Sequence, residues 1–199
     1  MAPKYVMRVI RQPQPGKIFE VLDRVLEFRK ESGIAGMTTV GVFAPTTYVV
    51  STTPFESLAE AEELADGVLS SPERRQEFDA IHALCSSSQN NLSRIVEAGS
   101  GRETANWIQR YVFTHAPNDR RRLIEALREY GSHIGDPQLS ITASMSGPQV
   151  VASIAVESLS TIDERGDALA NDPPTMARAA AVLSHTETYG VGIAKIYRT

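Results

Sequence analysis

The fold of this chain is decided by Phe55-Glu56-Ser57-Leu58, a stretch that returns 101 residues later as Val156-Glu157-Ser158-Leu159. Five identical residue types keep this offset: Ser57/Ser158, Leu58/Leu159, Glu63/Glu164, Asp66/Asp167 and Pro72/Pro173. Upstream, Arg8 matches Arg110 at an offset of 102, as one inserted residue in a turn requires. Self-similarity at a fixed offset is the signature of a repeated structural unit. The sequence therefore predicts two copies of one module, residues 1–99 and residues 102–199.

Each copy has the pattern strand, helix, strand, strand, helix, helix, strand. Strands are predicted at 5–11, 37–43, 48–53 and 92–98, with counterparts at 107–114, 139–145, 150–156 and 189–197. Ile18, Leu22 and Val25 form an apolar stripe at helical spacing, which predicts a helix from about 16 to 32. Ser57 and Glu60 have the spacing of a capping box at the start of the second helix. Ser71-Pro72 and Asp172-Pro173 each predict the start of a third helix.

This element order fixes the fold class. A βαββαβ chain with right-handed crossovers forms a four-stranded antiparallel sheet with helices on one face, the ferredoxin-like arrangement. The bare face has to be covered, and the second copy is expected to cover it. We therefore predict an α+β fold of tandem ferredoxin-like repeats whose antiparallel sheets pack face to face as a barrel with helices outside.

Composition excludes several classes of partner. The 199 residues carry 20 Lys and Arg against 24 Asp and Glu, a net charge of −4, with basic residues scattered rather than gathered into a stripe. A nucleic-acid partner is not expected. No apolar run approaches the roughly 18 residues of a membrane span, and the N-terminus enters a strand at once, so neither membrane nor secretion is predicted. The single cysteine, Cys85, fits a reducing cytoplasm and a structural thiol.

Two arginines are the first candidates for a binding site. Alternation along the first strand places Met7 on one face and Arg8 on the other, and Arg110 takes the same place in the second copy. A buried guanidinium needs a carboxylate, solvent or an anionic ligand. One interpretation is structural, a pair with Glu97 or another acidic residue; the other is a grip on a ligand carboxylate, phenolate or enolate.

The hairpin strands add a polar face. Pairing the copies places Val40/Ile141, Val49/Val150 and Phe55/Val156 beneath the helices, and Thr39/Ser140, Gly41/Thr142, Phe43/Ser144, Tyr48/Gln149 and Thr52/Ser153 on the opposite face. That mixture suits a lined ligand cavity, although a water-filled sheet interface has the same composition. The predicted ligand-binding residues are Arg8, Arg110, Tyr48, Gln149, Thr39 and Ser140. Tyr48 is the candidate proton donor, and with Arg8 and Arg110 it completes the catalytic candidates.

No metal or cofactor is predicted. The four histidines, His82, His115, His133 and His185, form no close pair and no His-x-x-x-His spacing, so a zinc site is not expected. His82 and His185 are expected in the third helices without aligning between copies. Each is interpreted as a surface or helix-end residue, with an unrepeated haem or proton-transfer group as the alternative.

Two stretches resemble a known family. Tyr5-Val6-Met7-Arg8-Val9-Ile10 with Pro15-Gly16-Lys17, and Phe55-Glu56-Ser57-Leu58 through Pro72-Glu73, are similar to motifs of the NIPSNAP-like members of the dimeric α/β-barrel superfamily. The second copy keeps Arg110 but has Asn118-Asp119 where Pro-Gly is expected. The resemblance covers nearly the whole chain twice and also extends to antibiotic-biosynthesis-monooxygenase-like proteins. It implies cofactor-free monooxygenases of aromatic polyketides, haem-degrading or haem-peroxidase enzymes, lactone isomerases, or proteins with no assigned activity.

Three functional hypotheses follow, since fold alone does not choose among them. The first is a cofactor-independent, monooxygenase-like or isomerase-like enzyme that binds a small, partly aromatic acid in the cavity between the sheets. The second is a non-catalytic small-ligand-binding or stress-associated assembly protein, because no acid–base pair or activated nucleophile can be named. The third is a haem-binding enzyme. A homodimer formed through the outer surfaces is a further expectation.

Overall fold

The computed structural model describes residues 2–44, 46–100 and 103–198. The first half contains β1 (Tyr5–Pro13), α1 (Ile18–Glu31), β2 (Met37–Phe43), β3 (Val49–Phe55), α2 (Leu58–Ser70), α3 (Pro72–Ala83) and β4 (Cys85–Glu97). The second half contains β5 (Trp107–His115), α4 (Arg120–Ile134), β6 (Leu139–Ser144), β7 (Gln149–Val156), α5 (Leu159–Ala170), α6 (Pro173–Ser184) and β8 (Thr186–Arg198). Both halves follow the predicted element order.

The two halves have the same strand order. The hydrogen-bonded order is β4-β1-β3-β2 in the first half and β8-β5-β7-β6 in the second, as a βαββαβ chain requires. The predicted α+β class with antiparallel strand pairing is therefore confirmed. None of the helices in the described ranges is long and apolar enough to cross a membrane.

The chain divides into two compact units. The first unit consists of two segments, the residues up to Arg94 and the residues from Lys195 onward. The second unit is Ile95–Ala194. In the first unit, Val21, Leu22 and Val25 of α1 pack with Val49 of β3. Tyr197, near the end of the chain, packs against the same core. The stripe of α1 that the periodicity predicts as apolar is thus the face that is buried.

The second unit has its own core beneath α4. Leu123 and Leu127 of α4 are buried against the helix-facing side chains of the sheet, which are Phe113, Leu139, Ile141, Ala143, Val150, Ala152, Ile154 and Val156. Val182 of α6 closes this cluster. Every one of these sheet residues is apolar, so the helix-facing surface of the second unit is a continuous hydrocarbon layer.

The predicted helix starts are confirmed by their hydrogen bonds. The Glu60 N–H donates to Ser57 Oγ at 3.3 Å, and the Glu60 carboxylate accepts from the Glu56 N–H at 2.9 Å. Before α3 and α6, Ser71 Oγ accepts from the Arg74 N–H and Asp172 Oδ2 from the Thr175 N–H. These contacts satisfy N–H groups that a helix start leaves without partners.

Four strand predictions are wrong by two or more residues at one end, those of β1, β3, β4 and β8. β4 begins at Cys85 rather than at residue 92, because its polar segment pairs with β1, Ser88 opposite Arg11 and Ser87 opposite Gln12. That segment has no apolar alternation, so only its partner strand reveals it. β1 also continues to Pro13, two residues beyond the predicted end, through a register shift after Gln12.

The predicted correspondence of the hairpins is also wrong by two residues. Val40 pairs with Val49, whereas Ala143 pairs with Val150, so the first hairpin holds two more residues than the second. Val40 therefore corresponds to Ala143 rather than Ile141, and Thr39 to Thr142 rather than Ser140. A shift of two preserves side-chain alternation, and the predicted faces are unchanged.

Candidate functional site

In the first unit, a buried arginine lies in the middle of a row of four strands. Arg8 of β1 is directly opposite Thr52 of β3 on one side and Asn91 of β4 on the other, and Thr52 is opposite Met37 of β2. Arg8 and Thr52 are buried. We call these four residues the first arginine row. Val49 pairs with Arg11 and belongs to the core beneath α1. By strand alternation, the first arginine row lies on the other face of the strands, away from this core.

The second unit has an equivalent row with more hydroxyl groups. Arg110 of β5 is directly opposite Ser153 of β7, which is opposite Ser140 of β6. All three are buried, and the Ser140 hydroxyl donates to the Ser153 carbonyl oxygen at 3.3 Å. Ser153 Oγ is buried and has no hydrogen-bond partner. We call these three residues the second arginine row.

Tyr48 and Gln149 lie on these faces but away from the arginines. Tyr48 immediately precedes β3 and Gln149 begins β7, and each is four residues before Thr52 or Ser153, which is about 13 Å along an extended chain. Tyr48 is half-buried, and its ring covers Gly41, where a Cβ atom would stand 3.1 Å from the ring. Thr39 lies opposite Val50, which is midway between Tyr48 and Thr52 along the chain. The Thr39 hydroxyl donates to the Val50 carbonyl oxygen.

The six predicted ligand-binding residues therefore fall into two sets, one in each unit. Arg8, Thr39 and Tyr48 share a strand face of the first unit, and Arg110, Ser140 and Gln149 share one of the second. Glu97, the carboxylate considered as an arginine partner, has its Oε2 atom 3.5 Å from Nε of Arg128, where both side chains are about half exposed.

A second polar group lies on the helix side of the first unit, and the sequence analysis missed it. It consists of Arg11, Arg29, Thr38, Ser51 and Thr53, which we call the buried arginine cluster; all five are less than 9% exposed. Arg11 Nη1 donates to Ser51 Oγ at 2.9 Å, and Arg29 Nη1 donates to Thr53 Oγ1 at 3.2 Å. Arg29 Nη2 also donates to the carbonyl oxygens of Ala35 and Thr52. Alternation places Arg11 on the face of Met7 and Val9, and that signal could have found it.

Burial dominates the electrostatics of this cluster. The pKa of Arg11 is lowered to about 10, chiefly because burial removes the guanidinium from water; Cys85 opposes this shift and the nearby Arg29 charge adds to it. Desolvation also lowers the pKa of Arg29 to about 10. Both guanidinium groups therefore remain charged at pH 7. Among the residues that the structure describes, no carboxylate oxygen lies within 4 Å of either one.

Cys85 and His82 lie beside Arg11 at the end of α3. The Cys85 thiol donates to the Ile81 carbonyl at 3.4 Å, and burial raises its pKa despite the Arg11 charge, so the thiol is neutral at pH 7. Burial, and then Arg11, lowers the pKa of His82, whose Nε2 is 3.1 Å from Ser88 Oγ. This environment fits a structural thiol rather than a nucleophile.

The histidines are dispersed over the molecule. His82 lies within α3 as predicted, but His185 follows the end of α6 and is 3.6 Å from Asp119, so its placement within a third helix is wrong. His133 is 3.1 Å from Asp172, and His115 is 2.9 Å from the Ala116 carbonyl. In the described parts of the chain, no three His, Cys, Asp or Glu side chains are placed to hold a metal ion.

No family model and no curated protein matches this sequence. Solved structures do match. An anthrone oxidase-like protein aligns with 100% of this chain and 92% of its own at a TM-score of 0.75 and 11% identity. A putative monooxygenase from Fusobacterium nucleatum subsp. nucleatum covers 98% of this chain and 94% of its own, with a TM-score of 0.66 and 7% identity. A NIPSNAP family protein from Agrobacterium tumefaciens covers 49% of this chain and 90% of its own, with a TM-score of 0.41 and 19% identity.

These similarities define the class of protein through its fold. The chain shares its fold with solved structures that include a protein named anthrone oxidase-like and a protein named a putative monooxygenase. The similarity supports the predicted ferredoxin-like fold.

Proposed function

We propose that this protein is a cofactor-independent, monooxygenase-like enzyme that oxidises a small, partly aromatic, acidic molecule at the second arginine row. The observation that carries the proposal is the row itself: a buried guanidinium in line with two buried hydroxyl groups on one strand face. A guanidinium recognises a planar oxyanion through paired, charge-assisted hydrogen bonds. The similarity in fold to an anthrone oxidase-like protein supports the choice of reaction.

The chemistry requires only oxygen besides the substrate. Loss of a proton from a CH2 group between two aromatic rings that are both conjugated with a carbonyl group gives an enolate whose oxygen Arg110 would stabilise. The enolate gives one electron to O2, and recombination at the same carbon forms a hydroperoxide that takes up the released proton. Loss of water then leaves a carbonyl group. In sum, CH2 and O2 give C=O and H2O, so no external reductant is consumed.

Oxygen uptake with anthrone tests the proposal. The wild-type protein is expected to consume one O2 per anthrone and to form the quinone without releasing peroxide. Arg110→Gln replaces the guanidinium with a neutral amide that can still donate hydrogen bonds. This variant is expected to lose the activity. Arg121→Gln is the matched control, because Arg121 is exposed and paired only with Glu125 on the surface of α4. If wild type and Arg110→Gln both match the uncatalysed rate, the enzymatic assignment fails.

A non-catalytic binding protein is the second candidate. The separation of about 13 Å along the strand between the row residue Thr52 and Tyr48 favours it, because no proton donor of the sequence analysis lies in an arginine row. Calorimetric titration with a hydroxyanthraquinone distinguishes the two. Binding of the hydroxyanthraquinone that depends on Arg110, without oxygen uptake in the presence of anthrone, supports a non-catalytic binding protein. Catalysed oxygen uptake with anthrone excludes this second candidate.

We further propose that residues 1–99 and 102–199 are copies of one ferredoxin-like module. The shared element order and the shared strand order support this duplication. Superposition of the halves in a crystal structure tests it, with β1, β3, β2 and β4 expected on β5, β7, β6 and β8. A homodimer in the cytoplasm is also proposed, and sedimentation tests the assembly: a single species at the chain mass of 21.7 kDa would exclude a dimer.

A further inference from the structure

The buried arginine cluster is confined to the first unit. By strand register, Arg11 corresponds to Phe113, because each faces the equivalent valine, Val49 or Val150. The strand registers also give the pairs Thr38/Ile141, Ser51/Ala152 and Thr53/Ile154. The helix residue Arg29 corresponds to Tyr130, which lies 101 residues later. All five counterparts pack in or against the apolar core of the second unit. The fold therefore accepts hydrocarbon at these positions, and the charges of the first unit are not required by the architecture.

The charge of Arg29 is compensated by its surroundings. Its guanidinium donates to two backbone carbonyls and to Thr53, and it belongs to the last turn of α1, where the helix dipole favours a positive charge. Gly36 permits this arrangement, because a Cβ there would stand 2.7 Å from Arg29 Nη2. These contacts explain the burial of the Arg29 charge, although Nε of Arg29 is itself buried without a partner.

Arg11 does not have such an explanation. Its only hydrogen-bond acceptor among the described residues is the Ser51 hydroxyl, and Nε is buried without a partner. Its titratable neighbours are Arg29, His82 and Cys85. Arg29 is a cation, and the Cys85 thiol is neutral at pH 7. None of them supplies a negative charge. In the second unit, by contrast, the buried carboxylate of Asp136 is held by Arg165 at 2.7 Å.

A second donor without a partner lies on β2, across β3 from Arg11. Thr38 is 1% exposed, and its Oγ1 atom has no hydrogen-bond partner. Thr38 is directly opposite Ser51, the residue that accepts from Arg11, so their Cβ atoms are about 4.5–5.5 Å apart. Two buried donors, the Arg11 Nε–H and the Thr38 hydroxyl, thus lie on either side of Ser51. Groups of this kind are rarely left unsatisfied in a folded protein.

We propose that the first unit binds a small inorganic anion of the size of chloride, held by the guanidinium of Arg11 and the hydroxyl of Thr38. The anion supplies the missing negative charge and accepts from both donors. The site is closed to bulk solvent, because Arg11 is 3% and Thr38 1% exposed. The site is distinct from the arginine rows, which lie on the other face of the strands.

Thermal unfolding in mixtures of sodium chloride and sodium gluconate at constant ionic strength tests this site. Chloride is expected to raise the Tm of the wild type along a saturating curve, by about 3–6 °C at ten times the dissociation constant. Arg11→Met is expected to abolish the rise, and Thr38→Val, which replaces only the hydroxyl, to weaken it. Arg24→Gln is the control, because Arg24 lies on α1 in the same unit but is half-exposed and paired with Glu77.

Diffraction from a crystal soaked in bromide provides a second measurement. An anomalous peak next to Arg11 Nε is expected in the wild type, and Thr38→Val keeps the test available should Arg11→Met fail to fold. A Tm that is independent of chloride would overturn the proposal. An equal rise in the wild type and Thr38→Val, together with no bromide peak at Arg11, would also overturn it, because the effect would then be one of general ion binding. Neither measurement depends on oxidation of a substrate.

Discussion

Arg110 lies directly opposite Ser153, and Ser153 in turn lies opposite Ser140, so one guanidinium and two hydroxyl groups share a single row of the second unit. The corresponding row of the first unit has Arg8 opposite Thr52, but Met37 takes the third place. A thioether is only a weak hydrogen-bond acceptor and cannot donate. The two rows therefore differ at this third place, where only the second row offers a hydroxyl group to an oxyanion.

The first prediction follows from this inequality. Arg110→Gln is expected to lower kcat/KM for anthrone oxidation by about 100- to 1000-fold, the usual effect of removing one oxyanion-stabilising donor. Arg8→Gln, the matched change in the other row, is expected to lower it less than about tenfold. Oxygen-electrode measurements of both variants check this. Equal losses would show that the extra hydroxyl of the second row is irrelevant to the reaction.

The second prediction concerns Tyr48. Because Tyr48 belongs to the first unit and the proposed reaction takes place at the second arginine row, Tyr48→Phe is expected to leave kcat/KM within about threefold of the wild type. The same oxygen-uptake assay measures the effect, with Tyr189→Phe as a control at an exposed tyrosine. A loss of a hundredfold for Tyr48→Phe would place its hydroxyl on the substrate.

The third prediction concerns the turn before β2. Gly36 has a φ of 122°, and a Cβ there would stand 2.1 Å from the Thr52 carbonyl oxygen. Gly36→Ala is therefore expected to lower the free energy of unfolding by at least about 3 kcal/mol. Gly33→Ala is the control, since Gly33 also has a positive φ, 64°, but faces open space; a loss of about 1–2 kcal/mol is expected. Urea unfolding measures both, and similar losses would contradict the steric argument.

The fourth prediction is a pH dependence at the start of α6. The hydroxyl of Thr175, and then His133, hold the pKa of Asp172 below its ordinary value. Because the folded-state pKa is depressed, the stabilisation is present above the unfolded value of about 3.9 and is lost as the pH falls through the lower folded value. Asp172→Ala is expected to lower the Tm at pH 7.

That deficit should shrink as the pH is reduced below about 4. Thermal scans of the wild type and Asp172→Ala across the acidic range measure the gap. Asp163→Ala, at an exposed position of α5, is the control and should show no comparable convergence. A gap that is constant with pH would mean that Asp172 acts through packing alone.

Sequence patterns predicted the element order and the side-chain faces, because both depend on local periodicity. Val21 and Val25 are buried where helical spacing places them, and Arg8 and Arg11 alternate as strand residues must. The polar start of β4 was missed because its residues carry no apolar alternation, and its pairing with β1 is a long-range event. The hairpin register was missed because loop length, rather than composition, sets it.

The candidate site was predicted less completely. Arg8 and Arg110 were identified because a buried cation in a strand is conspicuous. Arg29 was overlooked, since an arginine in the last turn of an amphipathic helix normally points to solvent. Its burial depends on Gly36 and on the carbonyls of Ala35 and Thr52, which only the tertiary structure brings to it.

Tyr197 packs against the core built by Val21, Leu22 and Val25, although 172 or more residues separate it from them along the chain. During synthesis, the first half therefore emerges from the ribosome long before the side chain that completes its interior. Until that moment its apolar residues lack one of their native neighbours. The first unit can therefore reach its final form only after Tyr197 has been translated.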